Sequence, residues 1–528
     1  MRGRAAVVLA AVVAASLVLR AVPTLTSGEP FSLDAWPLIR GAQVIAESPS
    51  VRIWNDSVLG GYNNRWPGTL LTSVTYSLIS GVSVTDTYRF FGPLATVLPT
   101  LLLVYAIVRR TTGEVLPSLL ALTYFAFAPS LLIFTSATIK EVCAYPLLYS
   151  LIFLLTAPQL GFSAFVVATL VLATSISATH PLASFMAAGL GFSTSLVYAM
   201  LSAAGKEVSG IRAFSLGRSA TLALLVTAVF AAYLLTYGGA GFRYSISVGD
   251  VLTYITYAIF VYLTYLLFNM LRRWKSALAI LIFTAVAALL ALVPHRSLLP
   301  GLGAIKSLTV MLYAVPAVLP LLTAVKLPKE TTSSWIYAAG ALLLVAVNSA
   351  YVALAKPEMS SIFHRVANYV VPANALLLAH SIARSSRLKP LALAIVAVTA
   401  ACSVVAVASV VAGLDGVTYY WYFRGSEVYS LNAVNALASK SIEFLGDAKV
   451  AYYFSLTRPV YSSTFLKALV ADSCSSLKDS LVLLYKDNFT WGYVISLNTI
   501  DIASYLSRIY CLSKVFDGST LYAFTFTG

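Results

Sequence analysis

The sequence predicts a polytopic α-helical membrane protein of thirteen transmembrane helices that ends in a small extracytoplasmic α/β domain. Three observations predict it. Of 528 residues, 59% are hydrophobic and 10% charged, with a mean hydropathy of +0.85, too little polar material to cover a water-soluble globule. Apolar runs of about 20 residues, enough to cross roughly 30 Å of hydrocarbon, recur as far as residue 411, with short Lys/Arg clusters between them. Beyond Val411 the chain turns polar and stays so.

Taken in order, the expected spans are 5–22, 90–108, 115–134, 142–157, 162–179, 181–201, 219–237, 251–271, 276–293, 306–325, 333–354, 366–383 and 390–411. Arg2 and Arg4 before an Ala/Val/Leu run resemble the start of a signal peptide, but the polytopic remainder favours an uncleaved first span. Arg20, near the far end of that span, is expected to snorkel to the interface. With the N-terminus in the cytoplasm, five of six cytoplasmic turns are basic, as the positive-inside bias requires. Those turns contain Arg109-Arg110; Lys206, Arg212 and Arg218; Arg272, Arg273 and Lys275; Lys326 and Lys329; and Arg384, Arg387 and Lys389. The net charge of +15 is therefore read as topology, and no nucleic-acid partner is expected.

Residues 23–89 form a long first external loop, in which Gly68 to Ser80 is expected as an interfacial helix. Counting it as a span would put Arg109-Arg110 outside and invert every later cluster. The transmembrane domain thus covers 1–411, and an extracytoplasmic α/β domain covers 412–528. Within the latter the pattern predicts helices over 426–445 and 500–512, and strands over 449–456, 481–486 and 521–526. Cys474 and Cys511 fall there and form a candidate disulfide, whereas Cys143 and Cys402 lie in spans as small apolar residues. Two glycosylation sequons, at Asn55 and Asn488, also fall outside.

Chemistry can enter at few places. Asp34 stands in Phe31-Ser-Leu-Asp34-Ala-Trp36-Pro37-Leu-Ile-Arg40. The plain reading is a helix N-cap. The functional one is a carboxylate held at the interface by Phe31, Trp36 and Pro37, where partial desolvation makes it a better base or metal ligand. Glu141, in Lys140-Glu141, is either a boundary anchor or a carboxylate at the favourable N-terminus of a helix. His180 precedes Pro181 at a span end and serves either as a packing residue or as a phosphate or hydroxyl ligand. The turn 355–365 contains Glu358, a candidate to join Asp34 around a divalent cation, and Arg365, whose fork suits a phosphate. No P-loop is present, and the Gly238–Gly241 turn is read as a flexible loop.

These motifs resemble the C-type glycosyltransferase superfamily, polytopic enzymes that use polyprenyl-phosphate-linked sugars, and within it the catalytic subunit of oligosaccharyltransferase. The resemblance rests on Asp34-Ala-Trp36-Pro-Leu-Ile-Arg40, Arg65-Trp-Pro67-Gly68, Arg89-Phe-Phe-Gly92-Pro93 and Arg365, together with the span count and external tail. It implies a membrane glycosyltransferase in which Asp34 and Glu141 are catalytic carboxylates and Arg365 holds the donor phosphate; Arg40 and His180 are further candidates to bind that phosphate. Asp34, Glu141 and Glu358 would be ligands for Mg or Mn. The implied partners are membrane lipid and a polyprenyl-linked sugar, and the implied location is a prokaryotic or archaeal cell membrane. Two features depart from the family. Lys140-Glu141 replaces an Asp-x-Asp motif, and the Trp-Trp-Asp signature that reads a peptide acceptor is missing, with Trp491-Gly-Tyr493 no substitute.

Two other classes compete. A transporter or flippase would place ionisable groups within broken spans near the midplane, whereas here acidic residues collect at span ends. A catalytically silent paralogue acting as a cell-surface scaffold would leave Asp34, Glu141, Glu358 and Arg365 far from a common cavity.

Overall fold

The computed structural model describes residues 2–48, 50, 53–206, 213–241, 247–270, 307–325, 332–355, 365, 366, 368–414, 419–471, 477–495, 498–505 and 512–526. Among them, eight helices are long and apolar enough to cross a membrane, or nine if a bent pair counts as one span. The chain is a multi-pass α-helical membrane protein with a small sheet-containing unit after its last long helix, Lys389–Val411. Helices Lys140–Leu155 and Val370–Arg384, of 16 and 15 residues, are shorter than the eight. Both are largely buried by their neighbours, so the bundle shields them from lipid. The span expected over 276–293 lies outside the described residues.

The expected span 115–134 is broken. Val115–Phe127 and Pro129–Thr135 meet at 63°, because Pro129 forces Ala128 into an extended conformation (φ −66°, ψ 116°). The break strips carbonyls of their helical donors, and inside a membrane each must find another. Arg20 supplies one: its Nη1 donates to the Ala126 carbonyl at 3.0 Å and to the Ser16 carbonyl at 3.1 Å, and its Nε to Thr135 Oγ1 at 2.8 Å. Ser403 Oγ donates to the Phe127 carbonyl. Arg20 therefore turns inward, 1% exposed, instead of snorkelling as its position in the sequence predicts.

After the bundle, helix Gly425–Leu437 leads into a four-stranded sheet. Its strands are β1 (Glu443–Gly446), β2 (Ser480–Tyr485), β5 (Ser513–Asp517) and β6 (Leu521–Thr525), in the order β1-β2-β6-β5; β3 (Tyr493–Ile495) and β4 (Asn498–Ile500) make a separate hairpin. β1 and β2 run parallel, and β6 is antiparallel to both its neighbours. The predicted strand at 449–456 is instead helix Ala448–Tyr453, because Asp447 caps it by accepting from the Val450 amide at 3.1 Å. The helix predicted over 426–445 ends at Leu437 and gives way to β1; of that predicted over 500–512, the described part holds the end of β4 and a short 3-10 turn, Ala503–Tyr505, and residues 506–511 lie outside the described residues. Cys474 and Cys511 lie outside the described residues.

Helix Ala35–Glu47 joins this unit to the bundle. Trp36 packs edge-on against Tyr453 at 4.6 Å and Phe423 at 5.5 Å between ring centroids, and Phe31 meets Trp421 at 6.2 Å. The aromatics around Asp34, expected at a lipid interface, bury themselves against the C-terminal unit. Helix Gly68–Ser80 packs against Ala35–Glu47.

Candidate active site

Four chain segments converge where the helix Ala35–Glu47 meets the bundle. Asp34 stands at its N-cap position, yet its carboxylate makes no capping bond. It accepts instead from Arg365 Nη2 at 3.2 Å. Arg365 Nη1 lies 3.7 Å from Glu141 Oε2, so one guanidinium bridges two carboxylates from chain positions far apart. Asp34 and Arg365 keep side-chain exposures of 33% and 25%, whereas Glu141 has none. The arrangement is open at Asp34 and closed at Glu141.

Glu141 sits in the first turn of Lys140–Leu155, just ahead of its apolar stretch. Its Oε1 accepts from the Tyr145 hydroxyl at 3.3 Å, while Oε2 has no hydrogen bond. Burial pushes its pKa up from 4.5 to about 7, against the downward pull of Arg365 and the Tyr145 and Tyr369 phenols and with a smaller push from Asp34. Glu141 is thus poised between acid and base at neutral pH. Burial alone would lower the Arg365 pKa, but Asp34 and Glu141 more than offset this and raise it.

His180 caps the helix Pro181–Ala203: its Nδ1 accepts from the Ala183 amide at 3.3 Å. That bond leaves the ring proton on Nε2, which faces Glu141 Oε2 at 3.9 Å. Burial lowers the His180 pKa well below its usual value, and the nearby Arg365 and Lys140 lower it further. His180 is consequently a neutral donor rather than a cation awaiting phosphate. Lys140, quoted in the sequence motif but given no role there, holds its ammonium 3.3 Å above the Tyr62 ring and 5.9 Å from that of Trp66.

The motif glycines have a local purpose. A Cβ on Gly92 would overlap the Thr138 side chain, and one on Gly68 would overlap Thr179. Thr138 precedes Lys140-Glu141 and Thr179 precedes His180, so the two glycines let neighbouring helices press against the loops that carry the site. Gly238–Gly241, expected as a flexible loop, forms π and 3-10 turns that pack on Arg65 and Trp66.

The other expected residues lie elsewhere. Arg40 bonds Gln43 at 3.3 Å and stands over the rings of Trp36 and Tyr453 at 6.0 and 5.7 Å. Asn55 caps Asp56–Leu59 through its Oδ1. Asn488 is wholly buried, and its Nδ2 donates to Asp447 at 2.8 Å and to the Gly492 carbonyl at 3.1 Å. Both amide protons are engaged, which leaves no room for a glycan in the folded unit. Glu358 lies outside the described residues. Among the described residues, no group of three His, Cys, Asp or Glu side chains could hold a metal, and Arg365 already occupies the space between Asp34 and Glu141. These residues do not fit a divalent cation as they stand.

Tyr369 also lines an apolar cavity of about 60 Å³ in the bundle. Its walls include Tyr149, Ile152, Met186, Ala341 and Leu376, and come from five helices. An apolar chamber therefore adjoins the charged cluster through a shared tyrosine.

No family model matches the chain, and no curated protein matches it. Among solved structures, it aligns with ArnT from Cupriavidus metallidurans bound to undecaprenyl phosphate, at 12% identity and a TM-score of 0.40. That alignment covers 98% of this chain and 97% of the other. The apo state of the same protein aligns at 10% identity and a TM-score of 0.38, with the same coverage.

Proposed function

We propose that the chain is a C-type membrane glycosyltransferase that moves a sugar or glycan from a polyprenyl-phosphate-linked donor to an acceptor on the outer face of the cell membrane. The observation that supports this most is the Asp34–Arg365–Glu141 bridge beside an apolar cavity. A lipid phosphate needs a cationic fork for its head and an apolar slot for the start of its chain. In this reading the N-terminus is cytoplasmic and the C-terminal unit, residues 412–528, is extracytoplasmic.

Donor phosphate engages Arg365 and competes with Asp34 for it. Asp34, released from its ion pair, accepts the proton of the acceptor nucleophile as that atom attacks the anomeric carbon. The bond from the anomeric carbon to the phosphate oxygen breaks, and its electron pair stays on the phosphate. Arg365 stabilises that developing charge, with Glu141 behind it.

The test is to incubate the purified protein with radiolabelled polyprenyl-linked sugars and native membrane extract, then identify the labelled product. Transfer by the wild type and its loss in a stably folded Asp34→Asn variant is the expected result. Unchanged transfer in that variant overturns the reading.

A further inference from the structure

Arg20 has no acidic partner among the described residues, although a buried cation in a membrane span is costly and such residues are kept for a purpose. Its Nε and Nη1 are spent on Thr135, Ser16 and Ala126. Its Nη2 makes no hydrogen bond among the described residues. Arg20 lines a small cavity of about 10 Å³ together with Thr96, Thr100, Thr135, Val142 and Tyr145. A space of about that size, roughly 10–15 Å³, holds one water when two to four polar groups face it. Arg20, three threonines and Tyr145 are the polar residues of its lining. Across the cavity, the Tyr145 hydroxyl donates to Glu141 Oε1.

Arg20 also controls the approach to Glu141 along the chain. The arm Pro129–Thr135 ends five residues before Lys140, and Arg20 binds both sides of the bend, Ala126 before it and Thr135 after it.

We propose that Arg20 is a positioning residue for Glu141: it locks the bend of the broken helix and, through one water in the small cavity, holds the Tyr145 phenol against the Glu141 carboxylate. This deepens the transferase reading and rests on Glu141 belonging to that site. The groups that face Glu141 are Arg365, His180, Asp34, Tyr145 and Tyr369, with Lys140 adjacent in the chain. Arg20 reaches it only through Tyr145.

The experiment follows thermal unfolding of the purified full chain in detergent from pH 5 to 9, with no sugar present, so its outcome is separate from that of any transfer assay. Arg20→Met is expected to move the midpoint of the pH-dependent change upward by about one pH unit, because the Tyr145 hydroxyl is no longer held against the carboxylate as a donor. In a Tyr145→Phe background the same substitution is expected to move it no further. A lower Tm at every pH with the midpoint unmoved, or additive shifts in the double variant, overturns the proposal and leaves Arg20 a packing residue. Should Arg20→Met fail to purify, Arg20→Lys serves, since it keeps the charge and loses the fork. A midpoint displaced as in Tyr145→Phe supports the role, and an unmoved one overturns it.

Discussion

Arg365 Nη2 donates to Asp34 Oδ2 at 3.2 Å, across 331 residues of chain. The bond uses the carboxylate that a helix N-cap would have spent on its own backbone, and it leaves both groups partly open to solvent. Asp34 is thereby restrained by a residue of a distant chain segment.

Arg365→Lys is therefore expected to weaken donor binding. Lysine is a point charge and cannot span Asp34 and Glu141 together. Loss of one charge-assisted hydrogen bond, about 1.5–3 kcal/mol, corresponds to roughly ten- to hundredfold in affinity for polyprenyl phosphate, measured by titration on the purified protein. Asp34→Asn is expected to behave differently: kcat falls by about 10²–10⁴-fold, the usual worth of a general base, while the KM for the donor changes little.

Glu141 gives a pH signature. Its pKa is raised from 4.5 to about 7, so the folded state holds a proton that the unfolded chain has lost between those values. The corresponding stability is fully present below pH 4.5 and is lost as pH rises through about 7, a change of about 3 kcal/mol. Glu141→Gln carries no such proton. The variant is expected to flatten Tm between pH 5 and 7.5 and to exceed the wild type in Tm at pH 8, as thermal scans in detergent will read.

The helical bundle and the four segments of the site were legible in the sequence because apolar runs and span-end charges are local patterns. Phe162–Thr179 begins and ends where the hydropathy does. Side-chain direction was not legible. Arg20 looked like a snorkelling residue because nothing in its own span reveals a broken helix a hundred residues later that needs a donor. Phe31 and Trp36 looked like lipid anchors because their partners, Trp421, Phe423 and Tyr453, lie beyond the last span. The 449–456 segment has a strand's composition, but Asp447 caps a helix there, a signal visible in principle as Gly446-Asp447.

Gly92 makes a steric prediction. Its missing Cβ lets the start of Gly92–Thr112 lie against Thr138, whose hydroxyl donates to the Tyr88 carbonyl at 2.9 Å. Gly92→Ala forces Thr138, and with it the loop to Glu141, outward. Overpacking of this kind costs about 1–3 kcal/mol, and transfer is expected to fall more than Tm does. Thr138→Ala in the same background removes the two Thr138 atoms that the new Cβ meets most closely, the hydroxyl oxygen and the methyl, at the cost of the bond to Tyr88, and is expected to restore part of both.

The cavity beside Tyr369 predicts a chain-length effect. Ala341 lines it, and Ala341→Leu fills much of its roughly 60 Å³. The variant is expected to raise the KM for long-chain polyprenyl donors several-fold while leaving short-chain, water-soluble analogues unaffected. Equal KM changes for both would place the lipid chain elsewhere.

Asn488 carries the last prediction, in the C-terminal unit. Its Oδ1 accepts from the Tyr485 amide at 2.8 Å and its Nδ2 reaches Asp447 and the Gly492 carbonyl, so one side chain ties β2, the cap of Ala448–Tyr453 and the turn into β3. Asp447 is itself buried, and burial raises its pKa against the bonds from Asn488 and the Val450 amide. Asn488→Ala removes three hydrogen bonds and leaves a carboxylate without one of its donors, a loss of about 2–4 kcal/mol. The variant is expected to unfold at a lower Tm and to become sensitive to proteolysis between residues 447 and 493. Asn55→Gln, which alters one exposed cap, should leave both measures within error of the wild type. Intact mass of the native protein should show no glycan at Asn488, because an amide whose two protons are already donated inside the fold offers none to a glycosyl carrier.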